Sequence, residues 1–430
     1  MSSLPDATQV LVVGGGPAGA STAWHLASAG LTVTLVDRAR FPRSKPCAEY
    51  ISPEGARILS AMGALDALEA RHSSALTGMQ VHAPSGDIIH GEFVAQHGFR
   101  GFRDRGLGVR RETLDTLLLD RARAAGVRVV EGAKLETLLT NATGVCGARI
   151  RTPTGMQDVR ASLVVGADGL RSQVARRLGL ARSSRWRKRM ALVGHYRNVS
   201  GIGTLGEMHV RRHGYVGLAA VGDGITNVAL VVPHASAGAM RGDAAGFLDA
   251  WLGADDRLRE RFSSAERVSA VQATGPFASR AIRAWADGAL LVGDAADFYD
   301  PFTGEGIYAA LRGGELAAPY AVRAVLAIER GDPRASRIAL QEYDKARHAT
   351  FAGKWRVEKL IGAAVALPWL MNYAARVLGR DRDLADLLVG VTGDFVPPAA
   401  MLSPRTLLRF LLPRRTAQPQ SPPVLHAHRP

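Results

Sequence analysis

The chain has 430 residues, 47% apolar and 22% charged, an ordinary globular balance that excludes wholesale disorder and allows two or three domains by length. Two cysteines, Cys47 and Cys146, cannot make a disulfide scaffold, and the polar stretch from Met1 to Gln9 is no secretory signal, so a cytoplasmic, reducing setting is expected. The formal charge is +15, but only six of the 54 basic residues are Lys, aromatic residues are 6%, and clusters such as Arg185 to Arg189 lack nucleic-acid motif spacing, so a solvated Arg-rich surface is expected and no specific nucleic-acid partner.

Val10 to Val13 has the look of a strand buried on both faces. It enters Gly14-Gly15-Gly16-Pro17-Ala18-Gly19, then a small-residue helix from about Ala18 to Ala29, with Gly30 as its left-handed stop. Thr32 to Val36 is a second strand and ends at Asp37. Val81 to Ile89 alternates as a strand. Leu114 to Ala125 reads as an amphipathic helix stopped by Gly126. Val127 to Val130 and Val145 to Ile150 read as strands, and Leu163 to Val165 is a buried run ending in Gly166-Ala167-Asp168-Gly169. From about Trp186 to Val232 the pattern is antiparallel sheet with glycine-rich turns. Ala289 to Val292 is a last buried strand, running into Gly293-Asp294, and a helix is predicted from Gly306 to about Ile328. From Arg334 the chain is helical with a break at Pro368, and the tail from Pro413 reads as disordered. The longest uncharged helical stretch, Leu360 to Ala375, has 16 residues and contains Pro368 and Asn372, which suits a buried or interfacial helix better than a membrane span.

The opening strand, glycine turn, helix and strand form a dinucleotide fingerprint. Gly14 allows the tight turn, Gly16 lets backbone approach a pyrophosphate, and Gly19 lets helix and strand pack closely. Pro17 and Ala18 start a helix whose free N–H groups face the anion. Asp37 lies 23 residues after Gly14, near the roughly 20 expected for an acid holding a ribose. This leaves FAD and a nicotinamide dinucleotide both open, and disfavours a 2′-phosphate.

Two later turns narrow the choice. Gly166-Ala167-Asp168-Gly169 and Gly293-Asp294-Ala295-Ala296 each follow a buried strand, and the second leads into Asp300-Pro301-Phe302-Thr303-Gly304-Glu305-Gly306. In this order the motifs resemble the flavoprotein aromatic-hydroxylase superfamily typified by p-hydroxybenzoate hydroxylase. Lys45-Pro46-Cys47, the run Asp300 to Gly306, and the sheet from Gly214-Tyr215 to Asn227-Val228 resemble its geranylgeranyl reductase branch. The resemblance spans about residues 8 to 330.

The resemblance implies an α/β fold. A discontinuous Rossmann-like FAD-binding domain would use residues 1–80, 101–185 and 275–330. An inserted antiparallel substrate domain would use 81–100 and 186–274, followed by a helical C-terminal region, 331–412, and a tail, 413–430. Gly14, Gly16, Pro17, Ala18 and Gly19 would hold the FAD pyrophosphate, Asp37 the adenosine ribose and Arg111 the phosphates, with Arg38 also among the cofactor-binding residues. Asp168 would stand near the path of the reductant, Gly293 and Asp294 by the ribityl chain, and Pro301, Gly304 and Gly306 against the ring. A planar ring needs close backbone approach, and the helix starting at Gly306 would favour its anionic reduced form.

The catalytic candidates are Cys47, Asp297 and Tyr215. Lys45 could lower the Cys47 pKa or bind an anion. Packing, helix capping and loop hydrogen bonding are the plainer roles for these groups and for Tyr299, Asp300 and Glu305. Three features depart from the family. Cys47-Ala48-Glu49 replaces Cys-Gly-Gly. Gly217, Ala219 and Ala220 stand where a Trp, Phe and Pro palate is usual, leaving a roomier pocket. Asp297 replaces the His of hydroxylases.

The favoured reading is an FAD-dependent monooxygenase. It would hydroxylate or epoxidise a lipophilic, aromatic, polyketide or isoprenoid-like substrate through a flavin C4a-hydroperoxide, with NAD(P)H or another donor as transient reductant. The first alternative is flavin-dependent reduction of carbon–carbon double bonds. The second is a non-enzymatic, flavin-stabilised binder of a hydrophobic ligand. No metal is expected. Leu360 to Ala375 and Leu407 to Leu412, beside Arg409, Arg414 and Arg415, suggest a peripheral membrane contact.

Overall fold

The computed structural model describes residues 3–70, 72–183, 188–277, 279–298 and 301–411. Arg185 to Arg187, Tyr299, Asp300 and the tail from Pro413 lie outside them.

The chain opens with β1 (Ala7–Val13), α1 (Pro17–Ser28) and β2 (Val33–Asp37). A hairpin of β3 (Gly78–His82) and β4 (Ile88–Glu92) follows. One strand was predicted over Val81 to Ile89; instead the chain reverses there, with Gly86 at φ +90°. Next come α2 (Arg111–Ala124), β5 (Arg128–Glu131), the hairpin of β6 (Lys134–Asn141) and β7 (Gly144–Thr152), and β8 (Gly155–Gly166). The middle of the chain supplies β9 (Arg189–Arg197), β10 (Leu205–Arg211), β11 (Gly214–Ala220) and β12 (Ile225–Pro233). After β13 (Ala289–Leu291) and a two-residue strand, Asp297–Phe298, come the helices α3 (Gly306–Glu329), α4 (Pro333–Ala366), α5 (Pro368–Leu378), α6 (Arg382–Thr392) and α7 (Pro404–Leu411).

The first sheet runs β5-β2-β1-β8-β13, all parallel, with the β6–β7 hairpin added antiparallel on β8. Val10 to Val13 and all of β2 are buried, as a sheet covered on both faces requires. α1 and α3 cross closely. A Cβ on Gly314 would meet the Thr22 amide at 2.6 Å, and Ser21 donates to the Leu311 carbonyl at 2.9 Å.

The second sheet orders its main strands β9-β12-β11-β10-β3-β4. It is antiparallel except at one seam, where β10 lies parallel to β3. The cause is connectivity: the chain passes through the first sheet between these strands, so it re-enters from the same end. Alternation sorts the two faces. Met208, Val210, Tyr215 and Val231 face the C-terminal helices, while Val216, Leu218, Val228 and Leu230 face the helix Ala244–Gly253.

α4 is one helix of 34 residues, opened by Pro333 and by the Asp332 side chain accepting from the Ala335 amide at 2.9 Å. It stops before Pro368, and α5 leaves at 113°. Among the described residues no single helix is long and apolar enough to cross a membrane.

Candidate active site

β1 runs into Gly14, whose φ of +110° turns the chain into α1. A Cβ on Gly14 would stand 2.4 Å from the Ala167 carbonyl oxygen, and one on Gly19 only 1.8 Å from that of Gly14. Gly16 is different. A Cβ there would meet only the guanidinium ends of Arg43, at 3.5 Å, and Arg111, at 3.8 Å. The space over Gly16 is thus framed by two cations and the first amides of α1, the makings of an anion slot. Lys45 adds a third cation, its Nζ 3.5 Å from where a Gly169 Cβ would lie.

α2 delivers Arg111 in its first turn. The guanidinium forks onto Asp115, one turn later and fully buried, at 2.9 and 2.8 Å. Arg43 reaches the same carboxylate at 3.4 Å. Burial works against the Arg111 charge, but Asp115 and a hydrogen bond with the Cys47 sulfur outweigh it and raise the pKa. Burial pushes the Lys45 ammonium down; Arg111 adds to this and Asp294 opposes it. Three cations crowd against two carboxylates, a balance that a diphosphate would relieve.

This crowding has a pH signature. Lys45 sheds its proton at lower pH in the folded chain than in the unfolded one. Over that window the unfolded chain binds more protons, so the apoprotein gains stability as pH rises. A diphosphate ligand loses a cationic partner over the same window. FAD affinity should therefore fall as pH rises through the alkaline range in the native protein and stay flatter in Lys45→Met. Flavin-fluorescence titrations across pH check this.

A cavity of about 180 Å³ opens between the slot and the inner face of the second sheet. Gly16, Pro17, Ala18, Arg111 and Asp294 reach it from the first sheet and its helices, Cys47, Pro301 and Gly304 from loops, and Tyr215 from β11. Gly304, at φ +71°, packs against Tyr50, and Gly306 opens α3. A Cβ on Gly306 would have no neighbour nearer than Phe298, at 3.5 Å. Flat backbone, a helix start and the cations Lys45 and Arg111 share one cavity, which fits a flavin dinucleotide.

The sequence profile of the family described as FAD binding domain matches residues 7–353. This chain belongs to that family. As an FAD binding domain protein it is 29% identical over 399 residues to digeranylgeranylglycerophospholipid reductase 2 of Methanopyrus kandleri, spanning 91% of this chain and 94% of that protein. The structure of a geranylgeranyl bacteriochlorophyll reductase-like protein from Thermoplasma acidophilum superimposes with a TM-score of 0.70 at 23% identity, covering 95% of this chain and 97% of that one. A flavin-dependent brominase gives 0.77 at 20% identity, over 94% and 98% of the two chains. The two structural likenesses establish a common fold.

The other predicted residues of this FAD binding domain divide cleanly. Asp37 ends β2, and its oxygens accept from the Gly15 and Ala39 amides at 2.7 Å each, tying β2 to the glycine turn. Arg38 is exposed and does not line the cavity. Gly293 packs under α1, where a Cβ would meet that of Ala18 at 2.8 Å. Asp168 does not line the cavity either. Its carboxylate takes the Ser172 hydroxyl and the Gln173 amide at 2.5 Å each, capping the short helix Gln173–Arg177. Burial raises its pKa against those donors. Asp297 is likewise not among the lining residues: it forms an ion pair with Arg347 of α4, a partner invisible from the local motif.

Sequence reasoning missed Glu49. It is buried with a left-handed backbone, φ +58°, at the place of the family's second glycine. One oxygen accepts from the Arg111 amide at 2.8 Å; the other accepts from Asn227 at 2.9 Å and faces His195 Nε2 at 2.7 Å. Asn227 also donates to the Cys47 carbonyl at 3.0 Å. These bonds offset the roughly 1 kcal/mol cost of the left-handed turn and stitch the Cys47 loop to the second sheet. Lys354 was missed too. It reaches from α4 to Glu305 at 2.7 Å and pairs with Asp394.

One further cluster lies among the described residues. His82, Glu207 and His209 bring three metal-type donor atoms within 4.8 Å of one another. Arg261 holds both Glu207 oxygens at 2.6 and 2.9 Å, so a dication would meet a guanidinium there.

Proposed function

We propose that this flavoprotein saturates carbon–carbon double bonds in a long, apolar, isoprenoid-like chain. The observation that carries the reading is a second chamber of about 90 Å³ beside the first. Thr303 and Thr392 are its polar lining residues, and Met79, Met208 and Phe302 border both chambers. A compact ring needs one chamber; a flexible hydrocarbon can use two. The likeness to the Methanopyrus digeranylgeranylglycerophospholipid reductase supports the same class of substrate.

Bound FAD supplies two-electron redox chemistry, with NAD(P)H or another small donor as the source of electrons. The chain's residues do the rest. Tyr215 and Phe302, edge to face at 4.9 Å, and the small Gly217 and Ala219 shape the floor and keep it dry. Cys47 lines the cavity beside Arg111, and we assign it as the proton donor. Cys47→Ser should keep full flavin content and lose on the order of 10²-fold in kcat.

Anaerobic incubation of reduced enzyme with a geranylgeranyl lipid is the test. The expected product has gained two hydrogens per double bond. The room left by Gly217 and Ala219 favours a second reading, oxygen insertion into the same substrate class. Turnover only in air, with oxygen-18 in the product, would establish that reading and remove the reductase.

A further inference from the structure

We infer that α7 and the bend between α4 and α5 form a docking face for an anionic lipid bilayer. α7 is built inside-out for a surface helix. Two of its polar residues point into the protein: Thr406 is buried, and Arg409 binds Asp381 and Asp383 at 2.7 Å each. Leu407, Leu408 and Leu411 face outward. The four most exposed large apolar side chains among the described residues all lie in this region: Leu411 at 67%, Trp369 at 66%, Leu408 at 59% and Leu360 at 57%. Apolar surface concentrated in this way marks a contact rather than ordinary solvent exposure.

The pieces adjoin. Tyr373 of α5 donates to the Phe410 carbonyl at 2.8 Å and meets the Phe410 ring at 5.5 Å. Trp369 lies one turn before Tyr373 on the same helix face. Charge selects the occupant. Arg356, Arg376, Arg380 and Arg405 are exposed around these side chains, and the chain carries +15 overall. Leucines and an interfacial Trp ringed by Arg suit acyl chains under anionic headgroups. The bend also walls the second chamber: Ile361 and Ala364 of α4 and Met371, Ala374 and Leu378 of α5 line it. A greasy chain leaving a bilayer here would meet a cavity of its own polarity.

The inference stands apart from the reductase reading: a protein that docks but saturates no alkene keeps the face and loses the reaction. The test is flotation of the full-length holoprotein with vesicles of phosphatidylcholine alone or mixed with phosphatidylglycerol. Native protein should float with the anionic vesicles. Leu407→Ser/Leu408→Ser/Leu411→Ser should lose on the order of 100-fold in partitioning, with flavin content and melting temperature kept. Trp369→Ser, on another helix, should lose less but in the same direction. The inference is overturned if native protein stays at the bottom of the gradient, or if the leucine variant floats equally well. It is also overturned if native protein is a dimer that the leucine variant splits, which would make the occupant a second copy. Stronger flotation after removal of residues 412–430 would give the face to the chain's own tail.

Discussion

Lys354→Met is expected to lower stability by about 3–5 kcal/mol, the cost of leaving buried charge without its partner. The side chains of Lys354, Glu305 and Asp394 are all buried, and the one ammonium serves both carboxylates. Burial presses the ammonium down to about 7 against the pull of Glu358, and it presses the Asp394 carboxyl well up against a Ser52 hydrogen bond. Each group opposes that pressure in its partner. With the lysine gone, Glu305 and Asp394 face each other without a cation, which favours protonation of the pair in the folded state. The folded variant then binds more protons than the unfolded chain, so its deficit should shrink as pH falls and grow as pH rises. Thermal melts of native and variant protein across pH check this. Glu305→Gln/Asp394→Asn added to Lys354→Met should recover much of the loss, because neutral amides remove the repulsion. Glu305 lies between Gly304 and Gly306, which line the cavity, so the single variant should also hold flavin more weakly.

Gly19→Ala should yield a colourless, poorly folded protein. Its Cβ would sit 1.8 Å from the Gly14 carbonyl oxygen, a backbone atom that no rotamer change can move. Either α1 leaves the sheet or the turn opens, and overpacking of this kind costs about 1–3 kcal/mol or more. Gly16→Ala is the sharper comparison. Its methyl group has space, facing only the side-chain ends of Arg43 and Arg111. The apoprotein should melt like the native one, while the methyl group fills the anion slot and FAD affinity drops about 100-fold, or ~2.7 kcal/mol. Flavin-to-protein absorbance ratios after purification, paired with apoprotein melts, separate a broken fold from a blocked slot. If Gly16→Ala binds FAD as tightly as native protein, the slot does not hold the diphosphate.

The first sheet was legible because its signals are local. Val10 to Val13, the glycine turn and Asp37 lie within thirty residues, and each residue type has one structural use there. The glycines at 304 and 306 were legible for the same reason. What escaped was long-range pairing. Nothing near Asp297 announces Arg347, and nothing near Glu305 announces Lys354; each pair is joined only by the way α4 packs. Asp168 was read by its motif, yet a serine four residues on and the Gln173 amide claim its carboxylate. Glu49 was the hardest. A glutamate gives no hint of a left-handed backbone, and its partners His195 and Asn227 lie some 150 to 180 positions away. The single parallel seam in the second sheet was hidden likewise, since alternation is the same in either pairing direction.

α4 is 34 residues long, about 50 Å at 1.5 Å per residue. Along that length it holds Asp297 through Arg347 and the ring-facing loop through Lys354. Farther on it offers Ile361 to the second chamber and ends at the bend. A straight helix behaves as a lever, so a tilt imposed at its far end is felt at both ion pairs. Anything that moved the bend would therefore act, through those ion pairs, on the loop around Gly304 and Gly306.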